Sequence, residues 1–87
     1  MSKADMMFEK LGYEKEEGLE GFDLTYIKYT KKVWKDEYQD IVFDLEHNLL
    51  NTKKENRQFY RTVTSILNMQ ELQAIYEKVK ELGWMEE

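Results

Sequence analysis

The sequence predicts an α+β domain with two layers, in which an N-terminal and a C-terminal helix pack on one face of an antiparallel three- or four-stranded β-meander. Capping signals delimit a helix near each end of the chain, and the segments between them are rich in β-branched and aromatic residues. These segments lie too close together for parallel crossover connections. A chain of 87 residues cannot enclose two separate cores, so residues 1–87 form a single domain.

The C-terminal helix is predicted over residues 69–82. Asn68 and Glu71 have the spacing of a capping box, and Gly83 followed by Trp84 is typical of a Schellman motif at a helix end. Four apolar residues follow the helical period and are expected to face the core: Leu72, Ile75, Val79 and Leu82.

The N-terminal helix carries the same signals in a shorter form. Ser2 has the position of an N-cap, and Gly12 followed by Tyr13 forms the closing pair. A helix this short is marginal in water by itself, so it must pack against the rest of the domain. Met7, Phe8 and Leu11 supply the apolar contacts.

Strands are predicted between the two helices, over residues 22–30, 38–45, 49–53 and within 59–66. The second is the clearest, because Ile41, Phe43 and Leu45 recur at the period of two that places them on one face. Residues 14–21 have two glycines and no period, and we expect them to form an exposed acidic loop.

Charge is unevenly distributed along the chain. Residues 1–23 hold seven acids and three bases, residues 24–64 six acids and eight bases, and residues 65–87 five acids and two bases. If the two ends meet in the fold, they form one acidic surface that repels phosphates and attracts basic protein surfaces. The acidic residues predicted to bind a partner are Glu14, Glu16, Glu17, Glu20, Asp23, Glu86 and Glu87.

The residues of a catalytic, metal or cofactor site are missing from the sequence. It has no cysteine, no glycine-rich phosphate cradle and no nucleophile elbow. On a strand the only histidine, His47, would point away from Asp44 and Glu46, and a histidine in a short turn over residues 46–48 is the better interpretation, so no metal site is predicted. With no signal peptide, no apolar span and no disulfides, the chain is expected to be cytoplasmic and not to bind membranes.

Nucleic-acid binding is an alternative. The element order is that of double-stranded RNA-binding domains, but residues 69–72 lack the bases that such domains need at the start of the second helix. A predicted hairpin resembles a small stacking platform for single strands, through Lys28, Tyr29, Lys31, Lys32, Trp34 and Lys35. Lysines that guard a sheet edge explain the same residues. Trp34 itself can anchor a protein partner or fold back onto the sheet.

Residues 6–13, 41–45, 69–75 and 81–84 resemble small uncharacterised proteins encoded by phages and prophages of Gram-positive bacteria. The matching motifs are structural, and residues 54–65 depart from the pattern. The resemblance implies a non-enzymatic accessory protein that binds a host protein in the bacterial cytoplasm. An acidic anti-CRISPR or other anti-defence inhibitor of a nucleic-acid-binding nuclease is the form it suggests. A weak single-strand binder and a structural homodimer stay open as alternatives, as does the choice between monomer and homodimer.

Overall fold

The computed structural model describes residues 2–85 and confirms the predicted two-layer α+β architecture. The elements, in chain order, are α1 (Lys3–Lys10), β1 (Glu14–Glu20), β2 (Asp23–Trp34), β3 (Glu37–Asp44), β4 (Leu49–Asn56), β5 (Arg61–Thr64) and α2 (Met69–Glu81). Every strand pairs antiparallel with the next one along the chain. The meander therefore has five strands, more than the three or four predicted, with β1 and β5 at its edges.

The caps of α2 are those that the sequence predicts. The Asn68 side chain accepts a hydrogen bond from the backbone N–H of Glu71, and the Glu71 carboxylate accepts one from the backbone N–H of Asn68. At the other end the Trp84 N–H donates to the Val79 carbonyl at 3.1 Å, across Gly83 with φ of 74°. These contacts complete a capping box and a Schellman motif, so both boundaries of the helix are fixed locally.

The helix α1 ends in the same way. The Tyr13 N–H donates to the Phe8 carbonyl at 3.0 Å, across Gly12 with φ of 92°. At its start the Ser2 hydroxyl accepts a hydrogen bond from the Asp5 N–H. Both helices therefore leave their last turn with a glycine in the left-handed conformation that other residues adopt reluctantly.

The core lies between the two helices and the inner face of the sheet. Phe8 stacks on Tyr29 with ring centroids 3.9 Å apart, and Phe43 meets the Tyr29 ring edge-on at 5.9 Å. Each such buried aromatic side chain contributes about 1.5–3 kcal/mol. The remaining buried members of this cluster are Tyr13, Ile27, Ile41, Ala74 and Ile75.

The buried face of α2 is rotated from the predicted one. Leu72 is 44% exposed, whereas Glu71 and Lys78 are buried. The prediction that Leu72 faces the core is therefore wrong, although Ile75 is buried as predicted, and Val79 is partly buried against the core. Partners from other elements satisfy the charges of Glu71 and Lys78, which removes much of the penalty for burying them.

The strand β1 replaces the predicted acidic loop. Lys15 pairs in register with the buried Tyr29, so this charged side chain lies on the helix-facing side of the sheet. Two carboxylates hold its ammonium there, Asp5 at 3.0 Å and Glu17 at 3.2 Å. Strand pairing uses backbone groups, so the segment can join the sheet without an apolar period.

Two other boundaries differ from the predictions. The β2–β3 turn is confined to Lys35 and Asp36, because β2 continues through Trp34 with an irregularity in register before it. The polar residues that follow Lys53 belong to β4, which ends at Asn56. The last strand, Arg61–Thr64, lies within the predicted range of 59–66. Among residues 2–85 no helix is long and apolar enough to cross a bilayer.

Candidate functional site

Acidic residues are concentrated towards one end of the sheet and basic residues towards the other. The end formed by the β1–β2 and β3–β4 turns is called the acidic end, and its acidic residues are Glu16, Glu17, Glu20, Asp23, Asp44 and Glu46. The end formed by the β2–β3 and β4–β5 turns is called the basic end, and its basic residues are Lys31, Lys32, Lys35, Lys53, Lys54, Arg57 and Arg61. Asp36, Glu37 and Glu55 lie among these bases, and Lys15 and Lys28 lie beside Glu16 and Glu17. The strand register thus turns a weak charge pattern in the sequence into two separate surfaces.

The acidic end presents a fully exposed aromatic side chain. Phe22 lies in the β1–β2 turn between Glu20 and Asp23, whose Cα atoms are partners across the hairpin. Neither carboxylate forms an ion pair within residues 2–85. Leu19 and Leu24 flank the turn and are also exposed. An apolar group surrounded by free charges contributes nothing to the core and is available to a partner.

The other predicted acidic residues are less free. Glu14 is exposed at the start of β1, but Glu16 lies 3.9 Å from the Lys28 ammonium and Glu17 lies 3.2 Å from that of Lys15. The two other predicted acids, Glu86 and Glu87, lie outside the described residues. The predicted acids that are exposed and form no ion pair within residues 2–85 are therefore Glu20 and Asp23 at the hairpin tip and Glu14 at the start of β1.

The start of α1 and the end of α2 lie side by side, as the predicted acidic surface requires. The Ala4 N–H donates to a Glu81 carboxylate oxygen at 2.9 Å, and the Lys3 ammonium lies 3.6 Å from Glu77. Trp84 packs on Phe43 with ring centroids 5.9 Å apart, which places the end of the described chain near the acidic end of the sheet.

A charged network joins the two helices to the sheet. Asp5 accepts hydrogen bonds from the Tyr29 hydroxyl at 2.5 Å, from Lys15 at 3.0 Å and from Lys78 at 3.3 Å. Burial acts to raise the pKa of Asp5, but hydrogen bonds from Tyr29 and Lys15 and the charges of Lys78 and Lys15 outweigh it and lower that pKa to about 2. A carboxylate with this many donors stabilises the fold and is a poor general base.

A second buried carboxylate, Glu71, links α2 to the sheet. One of its oxygens accepts hydrogen bonds from the Tyr13 hydroxyl and from the Gln39 amide, the latter at 3.0 Å. Burial, followed by the adjacent Glu71 carboxylate, raises the pKa of Tyr13. Tyr13 therefore stays protonated as a donor. Through Tyr13 and Gln39, Glu71 joins α2 to the α1–β1 connection and to β3.

Asp44, Glu46 and His47 lie close together at the β3–β4 turn. Their potential ligand atoms all lie within 4.8 Å of one another. His47 lies in a turn, as predicted, because β3 ends at Asp44 and residues 45–48 form the turn. The direction that a strand would give to His47 therefore does not apply. One Asp44 oxygen accepts from the backbone N–H groups of Glu46 and His47, and the other lies 2.9 Å from His47 Nδ1, which raises the pKa of His47. These contacts are those of an Asx turn on an exposed surface.

The most unusual buried carboxylate is Asp40, at the centre of β3 on the face opposite the helices. It is fully buried, and neither of its oxygens has a hydrogen-bond partner within residues 2–85. The Lys28 ammonium lies 3.9 Å away. Because no solvent reaches Asp40, a substrate could not contact it without displacing its neighbours, and it is not assigned a catalytic role.

The six residues of the predicted nucleic-acid site do not share one surface. Tyr29 is 1% exposed in the core, and the Lys31 ammonium lies 5.0 Å from the ring centroid of Tyr13 on the helix-facing side. Lys28 lies on the opposite face, near Asp40. The exposed members beside the β2–β3 turn are Lys32, Trp34 and Lys35. Trp34, which is also predicted to contact a protein partner, is exposed and belongs to the basic end. It therefore lies apart from the acidic residues predicted to bind a partner.

The sequence reasoning missed the exposed aromatic residues of the β4–β5 turn. The backbone N–H of Arg57 donates to the Asp36 carbonyl at 2.8 Å, which joins this turn to the β2–β3 turn. Phe59 and Tyr60 are 64% and 91% exposed. A shallow concavity of about 320 Å³ lies beside them, lined by Glu37, Lys54, Asn56, Phe59, Arg61 and Val63. The signal that could have revealed this turn is Asn56, which opens it as Asp44 opens the preceding one.

The outer side of the helix pair carries a second exposed apolar region. Met69, Leu72 and Tyr76 on α2 lie beside Met7 on α1, and the groove between them measures about 370 Å³. Methionine-lined surfaces adapt readily to apolar partners.

Comparison of the chain with protein-family models, with curated proteins and with solved structures found no match.

Proposed function

We propose that this chain is a non-enzymatic protein-binding module whose acidic end docks on a basic surface of its partner. The single observation that carries the proposal is the fully exposed Phe22 between Glu20 and Asp23, two carboxylates without an ion pair in the described chain. An aromatic side chain at the centre of an interface, ringed by charges, is the usual composition of a binding hot spot.

The two kinds of residue at this tip have different roles in binding. Phe22 contributes affinity, because burying an aromatic side chain removes about 150–250 Å² of surface from water. Glu20 and Asp23 contribute orientation and association rate, because exposed charges steer encounters and are weakened by salt. We therefore expect the affinity to depend mainly on the contact with Phe22, and the association rate to fall as the salt concentration rises.

The resemblance to phage and prophage proteins suggests the class of partner. A host protein that binds nucleic acid, such as a defence nuclease, presents a basic surface shaped for phosphates. The acidic end would occupy that surface and act as an inhibitor of the anti-CRISPR or anti-defence type. This form of the proposal is supported by the charge of the acidic end.

The test is capture of partners from a Gram-positive host lysate by the tagged chain, followed by measurement of affinity for the retained protein. Phe22→Ala should weaken that affinity by about 30-fold, the effect of a hot-spot residue. Charge reversal at Glu20 and Asp23 should slow association and flatten its salt dependence. Glu9→Lys, an exposed reversal on α1, is the matched control. Equal affinity for wild type, Phe22→Ala and the charge reversal, at low and high salt, would refute the proposed surface.

A further inference from the structure

Two turns of the sheet have the same construction, and comparison of them isolates an unusual residue. In the β3–β4 turn a side-chain oxygen of Asp44 accepts two backbone N–H groups, and the turn closes on Asn48 with φ of 53°. In the β4–β5 turn Asn56 plays the same part, and the turn closes on Tyr60 with φ of 55°. Asparagine tolerates this left-handed conformation, whereas a bulky aromatic residue does so only under strain.

The strain at Tyr60 is not offset by packing. Its side chain is 91% exposed, so the ring contributes almost nothing to the core. Turn geometry alone would be satisfied better by the asparagine found at the equivalent position, Asn48. Strained and exposed residues concentrate at binding sites, so the aromatic ring needs an explanation outside the folding of this chain.

The surroundings of Tyr60 indicate the chemistry of a ligand. Phe59 and Trp34 border the same residue, Glu37, and both are exposed. The same end of the sheet carries four cations that form no ion pair within the described chain. Lys54 and Arg61 line the concavity with Phe59, Lys35 lies in the β2–β3 turn, and Lys32 precedes Trp34 on β2. Exposed rings among unneutralised cations are complementary to bases joined by phosphates.

We propose that the basic end binds single-stranded nucleic acid, with Tyr60, Phe59 and Trp34 stacking on bases and the neighbouring cations contacting phosphates. Stacking platforms of this kind act without reading sequence. The acidic end repels phosphates and confines the strand to this end of the sheet. This proposal is independent of docking by the acidic end, since the two sites occupy opposite ends of the sheet and share no residue.

The test is fluorescence anisotropy of a labelled oligothymidylate and a labelled oligouridylate, titrated with the full chain at low salt. Tyr60→Asn should weaken binding about tenfold, the effect of losing one stacked base. It should also raise the Tm by about 4 °C or more, because asparagine relieves the strain. A residue with a merely structural role could not move affinity and stability in opposite directions.

A charge variant and its control separate the phosphate contacts from general repulsion. Arg61→Glu should weaken binding and reduce the slope of log affinity against log salt by about one or more. Lys3→Glu makes the same reversal on α1, away from the basic end, and should leave both quantities near the wild-type values. No binding by the wild type at low salt would overturn the proposal. Equal binding of the oligonucleotides by the wild type and all the variants would also overturn it. A third such result would be a wild-type dimer that Tyr60→Asn converts to a monomer while the anisotropy of the labelled oligonucleotide stays the same.

Discussion

Replacement of Asp5 by asparagine removes the charge at the centre of the network that ties α1 to α2 and the sheet. The side chain keeps its size, so the packing of α1 is little changed. Tyr29, Lys15 and Lys78 lose an anionic acceptor, and Lys78 is itself buried. Loss of one partner from a buried ionic contact is costly because the other charge stays in a low-dielectric environment.

The magnitude follows from the pKa of Asp5, which is about 2 in the fold against an ordinary value of 3.8. The gap between these values corresponds to about 2 kcal/mol of stability at neutral pH. Because the pKa is lowered by folding, this contribution is complete above the ordinary value. It is lost as the pH falls from about 3.8 to about 2. In Asp5→Asn this part of the acid dependence should be missing.

Urea unfolding at several pH values between 7 and about 2.5 measures both effects. Wild type should be more stable than Asp5→Asn by about 2 kcal/mol at pH 7, and the difference should shrink in acid. Glu77 also has a lowered pKa, but it keeps the same partners in both proteins and cancels in the comparison. Glu81 shares the Lys78 ammonium with Asp5, so its lowered pKa is to be measured in both proteins. Asp23→Asn is the control, since Asp23 is exposed at the hairpin tip. Parallel loss of stability by wild type and Asp5→Asn throughout the acid range would refute the assignment.

Three further changes test the sheet, a turn and the cap of α2. Gly18→Ala should cost about 2 kcal/mol in urea unfolding, because a Cβ would lie 1.9 Å from the Tyr26 ring. Tyr26→Ala should remove most of that penalty in the double variant. Asp44→Asn should lower the pKa of His47 towards 6.5 in an NMR titration, and an unchanged pKa would contradict the Asx-turn contact. Glu71→Ala removes the capping box and a buried acceptor of two hydrogen bonds, and should cost about 3 kcal/mol in thermal unfolding.

Helix ends were predictable because their chemistry is local. The capping box of Asn68 and Glu71 and the glycine closures at Gly12 and Gly83 involve residues only a few positions apart, and all of them form. The burial of Glu71 was not predictable in this way. Its second carboxylate oxygen is satisfied from Tyr13, 58 residues away, which no helical period reveals.

The first strand and the basic end were missed for a related reason. A strand is recognised in a sequence by apolar residues at every second position, and β1 instead places Lys15 and Glu17 on its inner side. Their neutralisation by Asp5 and by each other depends on the assembled fold. The basic end likewise depends on the approach of Arg57 to Asp36, which joins two turns that are separate in the sequence.

The contact between the Ala4 N–H and Glu81 spans 77 residues, whereas every strand pairs with its immediate neighbour in the chain. During synthesis each hairpin can close soon after its second strand emerges, because the loop to be closed is short. The first helix can pack Phe8 on Tyr29 and Phe43 once β2 and β3 have paired, but its contacts with α2 form only after α2 has been made. The helix α1 precedes the sheet in the chain but gains its full set of contacts only after the sheet is complete, so a chaperone that protects this chain should engage α1 before α2 is made.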